Sequence, residues 1–580
     1  MRRKLKSGLE INKLDNSITG TMNYYNIFMN YRRLAFMSCA MFLIMTSGIF
    51  AQDGIEKEVI VVRTFEPTVA DAPKINLLPS LTDTISVKPV FSYNILPIPL
   101  ASDFDVEPIT PARMSGETVS KLYGSYLKLG VGSYVTPYAE LSVNSLRHNK
   151  YSGGFYVKHL SSQGNVRLEN QEKAFSQFAD NEMLFYGKRM GRSSTLSANT
   201  GIKSNGFHYY GYDTALDTIP EKEDIRQRFM NANAGLRLQS THADSIYLNY
   251  DMSLDYNYFQ DRRFVVEHGF GFSSSFNKFF RNQVIGADIG VDYFDNTYFR
   301  DTSNLVLKMS PWFNKADEEW EVFAGFHAYY DQLGEENRLY FHPRASLQFS
   351  IIRNYVIPYV GIDGGLMMNN YSRLASENPF IVPGLYVHNA NNSMKLYTGV
   401  KGNFTRDVSF NFGVSYSVID DMHFYVVDDS PGAIGNQFSV VYDNIELLNY
   451  SGEIGADISN SLGFLLRVNY NNYAMKLQEH PWHKPALDVK FSANYNLGDK
   501  ILLNTDVFYT GNRFARLADD QSEISELPGF ADINIGLEYR YNRILSGFLR
   551  LNNISNSKYH KWNNYPVQGI SVMAGFTYSL

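Results

Sequence analysis

The chain has 580 residues, among them 41 tyrosines and 40 phenylalanines but only 20 prolines and one cysteine. Its net charge of −6 at pH 7 gives no sign of a nucleic-acid partner. A helical membrane protein would be far more apolar, whereas a β-barrel with a polar lumen has an average composition close to that of a soluble protein.

Residues 32–52 are interpreted as an export signal. Arg32 and Arg33 precede an apolar run over 34–50, and Ala51 follows it with small residues just upstream. A membrane anchor helix is the alternative, but the run is shorter than the roughly 20 residues that a span needs. We therefore expect cleavage after Ala51, so that residues 1–51 are upstream sequence and signal peptide. The only cysteine, Cys39, lies in this run, which excludes disulfides and thiol chemistry from the mature protein.

Residues 52–120 are rich in proline and irregular in pattern. Eight of the 20 prolines of the chain fall between Pro67 and Pro111. Such a segment is predicted to be extended and not to fold alone. We expect it to lie in the periplasm or in the lumen of a barrel.

Residues 121–580 show strand-like alternation almost without a break. In the closing stretch, 570–580, apolar residues alternate with small or polar ones, and the same period of two recurs over 285–293, 487–495 and 533–541. Many of these runs have the length of a tilted membrane strand and end in tyrosine or phenylalanine. The pattern predicts strands with one face toward lipid and a charged face toward a lumen.

The connections between these strands alternate in length. Short ones fall at 148–150, 191–193, 240–243, 314–318, 404–406, 497–500 and 541–543, and long ones at 161–181, 204–226, 368–391, 418–445, 474–485, 511–529 and 554–565. Short periplasmic turns and long outer loops are typical of membrane barrels. The prediction is an all-β, antiparallel transmembrane barrel of about 22 strands, within a range of 18–24, that starts near Tyr126. The count is 22 if 418–445 is one loop with an extra hairpin, and 24 if that hairpin belongs to the wall.

The last hairpin carries a more specific pattern, made of seven residues: Asn552, Asn553, Asn556, Tyr559, Tyr565, Pro566 and Gly569. It resembles the C-terminal end of TonB-dependent outer-membrane receptors. Gln568, Ile570 and Leu580 depart from the family, which usually has Pro, Arg and an aromatic residue there. The resemblance implies the outer membrane of a Gram-negative bacterium, with membrane lipid and lipopolysaccharide as surroundings.

A second resemblance lies near the start of the mature chain, in Glu58, Val59, Ile60, Val61 and Val62. This stretch resembles a TonB box, which would add to the edge of a partner sheet. A strand tucked into the barrel mouth is an equally good interpretation. The rest of 52–120 does not resemble a receptor plug, and the layout is similar to plug-less receptor-like proteins of the Bacteroidetes. The implied partners are TonB and other outer-membrane or periplasmic proteins.

Catalytic and metal-binding motifs are missing from the sequence, so we predict no enzyme, no cofactor and no metal site. His480 and His483 flank Trp482, but two ligands are too few for a metal, and loop solvation is the favoured interpretation. The pairs Asp420–Asp421 and Asp428–Asp429 are interpreted as a solvated acidic loop rather than a cation site. The aromatic residues Tyr209, Tyr210, Tyr212 and Trp562 are interpreted as girdle or loop-packing residues, and His159 as a lumen or rim residue.

The sequence therefore favours an outer-membrane receptor or transporter of the TonB-dependent type that takes up an unknown solute through a large barrel. A passive porin-like channel, or a barrel that serves as a scaffold for partner proteins, is the alternative.

Overall fold

The computed structural model describes residues 124–579, apart from 147, 169, 213–219, 242–246, 298–302, 460 and 518–522. The predicted signal, the proline-rich segment and the TonB-box-like residues 58–62 lie outside the described residues. No helix in the described part of the chain has the length and apolar character needed to cross a membrane.

Twenty-two antiparallel strands form a single sheet. The first eleven are β1 (Ser125–Gly132), β2 (Thr136–Asn144), β3 (Tyr151–Ser162), β4 (Phe178–Met190), β5 (Ser194–His208), β6 (Arg226–Ser240), β7 (Asn249–Gln260), β8 (Val266–Phe280), β9 (Gln283–Asn296), β10 (Asn304–Ala316) and β11 (Trp320–Leu333). The others are β12 (Glu336–Phe349), β13 (Ile357–Met367), β14 (Ala390–Thr405), β15 (Val408–Val427), β16 (Phe438–Ser459), β17 (Leu462–Met475), β18 (Leu487–Leu497), β19 (Ile501–Thr510), β20 (Phe530–Arg540), β21 (Leu545–Asn552) and β22 (Ser571–Ser579). One helix, α1 (Tyr371–Glu377), lies between β13 and β14.

The sheet closes on itself. β1 pairs antiparallel with β22, with Tyr126 opposite Ser579 and Gly132 opposite Met573, and every other strand pairs with its neighbours in the chain. Closure removes the exposed edges that an open sheet would have. The prediction of an all-β antiparallel barrel of about 22 strands, starting near Tyr126, is confirmed.

The two faces of the wall differ as the alternation predicts. In β22, Val572 is 41% exposed and Phe576 is 44% exposed, whereas Met573 and Thr577 are 8% and 4% exposed. Large apolar side chains stand outward at alternate positions around the barrel. An apolar surface of this extent is unfavourable in water and suits contact with lipid.

The long connections lie at one end of the barrel. The first strand begins at Ser125 and the last ends at Ser579, and both residues lie at the end of the barrel that carries short turns such as 191–193, 281–282, 406–407 and 498–500. The opposite end, called here the long-loop end, carries 163–177, 209–225, 368–389, 476–486, 511–529 and 553–570. The prediction that the long loops share one end of the barrel is confirmed, although three connections at that end are also short: 133–135, 261–265 and 334–335.

Two predicted connections were wrong in extent. Residues 418–445 are not one loop, because β15 continues to Val427, β16 begins at Phe438, and these two residues pair. β15 leaves β14 after Asp420, and β16 meets β17 only from Ile445, so beyond the wall the two strands pair with each other alone. The extra hairpin is thus an extension of β15 and β16, not two further wall strands. Similarly, 314–318 is largely strand, because β10 continues to Ala316.

Candidate functional site

Loops from opposite parts of the wall meet across the long-loop end of the barrel. The loop between β13 and β14, which contains α1, reaches the wall at β8, where the Tyr371 amide donates to Glu267 Oε2 at 2.8 Å. The Tyr209 hydroxyl, in the loop between β5 and β6, donates to the Ile381 carbonyl at 3.2 Å. We call this assembly the roof: the described residues of loops 209–225, 368–389, 476–486, 511–529 and 553–570, with the hairpin that extends β15 and β16.

The roof has an apolar core of its own. Tyr565 is 1% exposed, stacks on Phe380 with ring centroids 3.6 Å apart and meets the edge of Tyr210 at 4.8 Å. The buried members come from seven different strands and loops: Phe229, Phe259, Val265, Tyr371, Leu374, Ala375, Ile381, Leu385, Tyr425, Val427, Phe438, Trp562 and Tyr565. Burying each large side chain contributes about 1.5–3 kcal/mol, so the loops hold one another in place.

The extended hairpin receives a further strand-like partner. The Phe438 amide donates to the Phe380 carbonyl, and the Val382 amide donates to the Phe438 carbonyl, both at 2.9 Å. Ile381 and Phe438 thereby form a parallel bridge. These bonds cover an edge of the hairpin that β17 no longer covers.

Charged groups hold both ends of α1. At its start, Glu267 accepts from the amides of Tyr371 and Ser372, which is the favourable place for an anion on a helix. At its end, Glu377 accepts from Lys484 Nζ at 2.5 Å and lies 3.0 Å from His423 Nε2. Burial alone would raise the pKa of Glu377, but the hydrogen bond to His423 and the charge of Lys484 outweigh it and lower the pKa to about 2.

Trp482 and His483 belong to the interior of the roof. Trp482 is fully buried. The Nδ1 atom of His483 lies 2.9 Å from the Tyr425 carbonyl oxygen, and its Nε2 atom accepts from the Asn563 amide at 3.4 Å. Burial lowers the pKa of His483 to about 3, so the ring is neutral. His480 stacks on Phe514 at 4.1 Å. The interpretation as solvated loop residues was wrong for His483, which the roof encloses, whereas the His480 side chain is still 30% exposed.

Among the described residues, no group of three or more His, Cys, Asp or Glu side chains is arranged to hold a metal ion. Asp420 and Asp421 are part of β15 rather than of a loop, and they accept from Asn391 Nδ2 and Arg338 Nη1, each at 3.2 Å. Only Asp428 and Asp429 lie in the loop that was predicted for all four. The acidic pairs are therefore two separate features.

The other residues noted in the sequence take structural places. Tyr209, Tyr212 and Trp562 are 0%, 3% and 8% exposed and pack within the roof. His159 lies on β3, and its Nδ1 is 2.7 Å from Asn181 Oδ1 on β4.

The residues of the family-like C-terminal motif shape the loop between β21 and β22. Asn553 has a positive φ of 48°; its amide side chain donates to the carbonyls of Ser557 and Gln568 and accepts from the Ser557 amide. Asn556 accepts from the Ile570 amide at 3.0 Å, and a side chain at Gly569 would clash with Asn556 Oδ1. Asn552 donates to Ser571 Oγ at 3.2 Å.

The same loop attaches the roof to its surroundings. Tyr559 stacks on Phe530 and donates to Asp532, Tyr565 donates to the Asn436 carbonyl, and the Pro566 carbonyl accepts from Tyr210. The motif residues thus fold the last loop and place Tyr565 in the roof core.

The inner wall beneath the roof is polar and carries both signs of charge. Lys203 and Glu182 are 2.9 Å apart, and Arg237 pairs with Asp251 and Arg467 with Glu453 across neighbouring strands. A chamber of about 810 Å³ lies between this wall and the loop that contains α1. Its size is that of a small-molecule site.

Neither protein-family models nor curated proteins give a match to this chain. Solved structures do. The iron transporter FrpB from Neisseria meningitidis (F5-1 variant) matches with a TM-score of 0.62 and 12% identity over 80% of this chain and 83% of that one. The ferric-catecholate import receptor Fiu from E. coli K12 matches with a TM-score of 0.59 and 9% identity over 79% and 82%. The pyoverdine outer-membrane receptor FpvA from Pseudomonas aeruginosa PAO1 matches with a TM-score of 0.58 and 9% identity over 80% and 79%.

At these identities the likeness establishes the fold. The chain has the 22-strand barrel fold of TonB-dependent outer-membrane receptors and transporters. The structures it resembles are described as transporters and receptors, not as enzymes.

Proposed function

We propose that the protein is an outer-membrane receptor and transporter of the TonB-dependent type in a Gram-negative bacterium, with its long loops outside. The observation that carries the proposal is the match of four-fifths of the chain to barrels of that type. The outward apolar surface and the polar lumen support the location in the membrane.

The roof favours a gated transporter over a passive channel. A barrel of 22 strands is wide enough to conduct water unless something fills or covers it. Here the Phe380–Tyr565 stack joins two loops across the mouth, as does the pair that Glu377 of α1 forms with Lys484, and α1 also bonds to Glu267 of the wall. A solute passes only when these contacts separate.

We further propose that residues 58–62 act as a TonB box and that 52–120 replaces a folded plug, as in plug-less receptor-like proteins of the Bacteroidetes. An extended, β-prone stretch suits addition to the edge of a partner sheet. TonB is then the partner that supplies energy.

The test uses the full-length protein in detergent and the purified periplasmic part of TonB from the same bacterium. The native chain should capture TonB, and a variant with Val59 to Val62 replaced by alternating glycine and proline should not. The same replacement over residues 84–87 is the matched control and should leave capture intact. Equal capture by all three proteins, or capture by none together with steady conductance in planar bilayers, would favour a scaffold or a passive channel instead.

A further inference from the structure

The chamber under α1 has a defined wall. It lies against the inner face of β4 to β7, and the rings of Phe207, Phe229 and Phe259 bound it toward the roof. Ser372 and Ser376 of α1 also line it. Its volume of about 810 Å³ lies within the range of sites for small molecules.

Strand register arranges the polar groups of this wall in rows. Glu182 lies opposite Lys203, Lys203 opposite Asn231, and Asn231 opposite Phe259. In the next row Gly201 lies opposite Asn233, which lies opposite Asn257. A side chain at Gly201 would come within 2.9 Å of Asn233 Oδ1, so glycine leaves a recess beside the amides.

The charged groups of the chamber are already occupied. Lys203 Nζ is 2.9 Å from Glu182 Oε1, and Asp180 accepts from Asn205 Nδ2 at 2.8 Å. By contrast, Asn231 and Asn257 form no side-chain hydrogen bond with another residue in the described part of the chain, and both line the chamber. Two carboxylates against one ammonium make the chamber weakly negative, which disfavours anions.

The groups left to meet a solute are neutral. Each asparagine amide can donate and accept, which matches the hydroxyl groups of a sugar. The phenylalanine rings offer apolar surface to C–H faces. Resting on the proposed function, we propose that this chamber is the solute site of the transporter and takes a neutral, hydroxyl-rich solute of the oligosaccharide class rather than a negatively charged metal chelate.

The experiment measures binding by the purified full-length protein at equilibrium. The probes are an array of neutral oligosaccharides and, as the anionic comparison, ferric citrate. The test variant is Asn231→Leu with Asn257→Leu. The matched control is Asn494→Leu with Asn504→Leu, two lumen amides that lie opposite each other on β18 and β19. Heat-modifiable migration on gels verifies that every variant is a folded barrel.

We expect the native protein and the control to retain at least one neutral oligosaccharide, and the test variant to lose at least tenfold in affinity. Retention of no oligosaccharide, equal binding by test variant and control, or stronger binding of ferric citrate would each overturn the proposal. The assay contains no TonB, so a failure here is distinguishable from a failure of TonB capture.

Discussion

Tyr565 is the residue whose loss should loosen the roof most directly. Its buried ring stacks on Phe380, meets Tyr210 and donates a hydrogen bond to the Asn436 carbonyl, so it joins three loops. Tyr565→Ala removes all three contacts and leaves a cavity. The wall strands are untouched, because Tyr565 lies in the loop between β21 and β22.

The size of the effect follows from the burial. Truncating a buried aromatic residue to alanine costs about 3–5 kcal/mol. The lost hydrogen bond is included in that range, since a hydrogen bond contributes only about 1 kcal/mol net to stability. A loss of about 4 kcal/mol raises the open population of the roof about 1,000-fold, because each 1.36 kcal/mol is a factor of ten.

The assay is chemical labelling from outside intact cells. Asn257→Cys places a thiol in the chamber beneath the roof, and a membrane-impermeant maleimide reaches it only when the roof opens. We expect Tyr565→Ala to raise the labelling rate by about two to three orders of magnitude. Tyr509→Ala, an outward-facing tyrosine that is 41% exposed, is the control and should leave the rate unchanged. Equal labelling of the native roof and of Tyr565→Ala would show that these contacts do not close the mouth.

Three further predictions use the same protein. His483 has a folded-state pKa of about 3 against an ordinary value near 6.5. The closed roof disfavours the protonated ring, so its stability is full above pH 6.5 and falls as the pH is lowered toward 3. At pH 5 the loss of stability is about 2 kcal/mol. Labelling of Asn257→Cys, normalised to an exposed Asp429→Cys, should thus rise about 30-fold from pH 7 to pH 5, and His483→Gln should flatten this dependence. Glu377→Gln removes the charged partner of Lys484 and His423 and should destabilise the closed roof by about 1 kcal/mol, which raises the labelling rate about five- to tenfold. An unchanged rate would mean that these pairs do not hold α1. Gly575→Val should prevent barrel closure, because a side chain there meets the backbone of β1 at 2.0 Å, while Gly547→Val, with its nearest atom at 3.9 Å, should give normal heat-modifiable migration.

The wall was predictable because its signal is local and repeated. Every strand has apolar side chains outward and polar side chains inward. The outward position of residues such as Val572 and Phe576 can therefore be predicted from their own strand, without reference to the rest of the chain. The lengths of the connections can likewise be counted along the sequence, from the end of one alternating run to the start of the next. The family-like C-terminal residues were recognisable for a similar reason, because they lie close together in the sequence, and Asn553 and Asn556 form hydrogen bonds with each other and with other residues of the same loop.

The roof was not predictable because it is built from distant residues. Tyr209 and Ile381 are 172 positions apart, and Tyr210 and Pro566 are 356 apart. α1 has seven residues, too few to show a helical period, and only its N-cap Asn370, which accepts from the Arg373 amide, is a local signal. His483 reads as a solvated residue until the Tyr425 carbonyl and the Asn563 amide are known to enclose it.

The roof combines two kinds of contact that respond differently to a pull on the barrel. Its aromatic core, around Tyr565 and Phe380, is non-directional and tolerates small displacements before it loses much energy. The bonds at the two ends of α1 are directional and fail within about an ångström. A movement that reaches α1 from below would therefore first break its bonds to Glu267 and the pairing of Glu377 with Lys484, while the aromatic core still holds. The loop of α1 also contributes five members of that core, so full opening of the mouth requires the core to yield as well: Tyr371, Leu374, Ala375, Ile381 and Leu385.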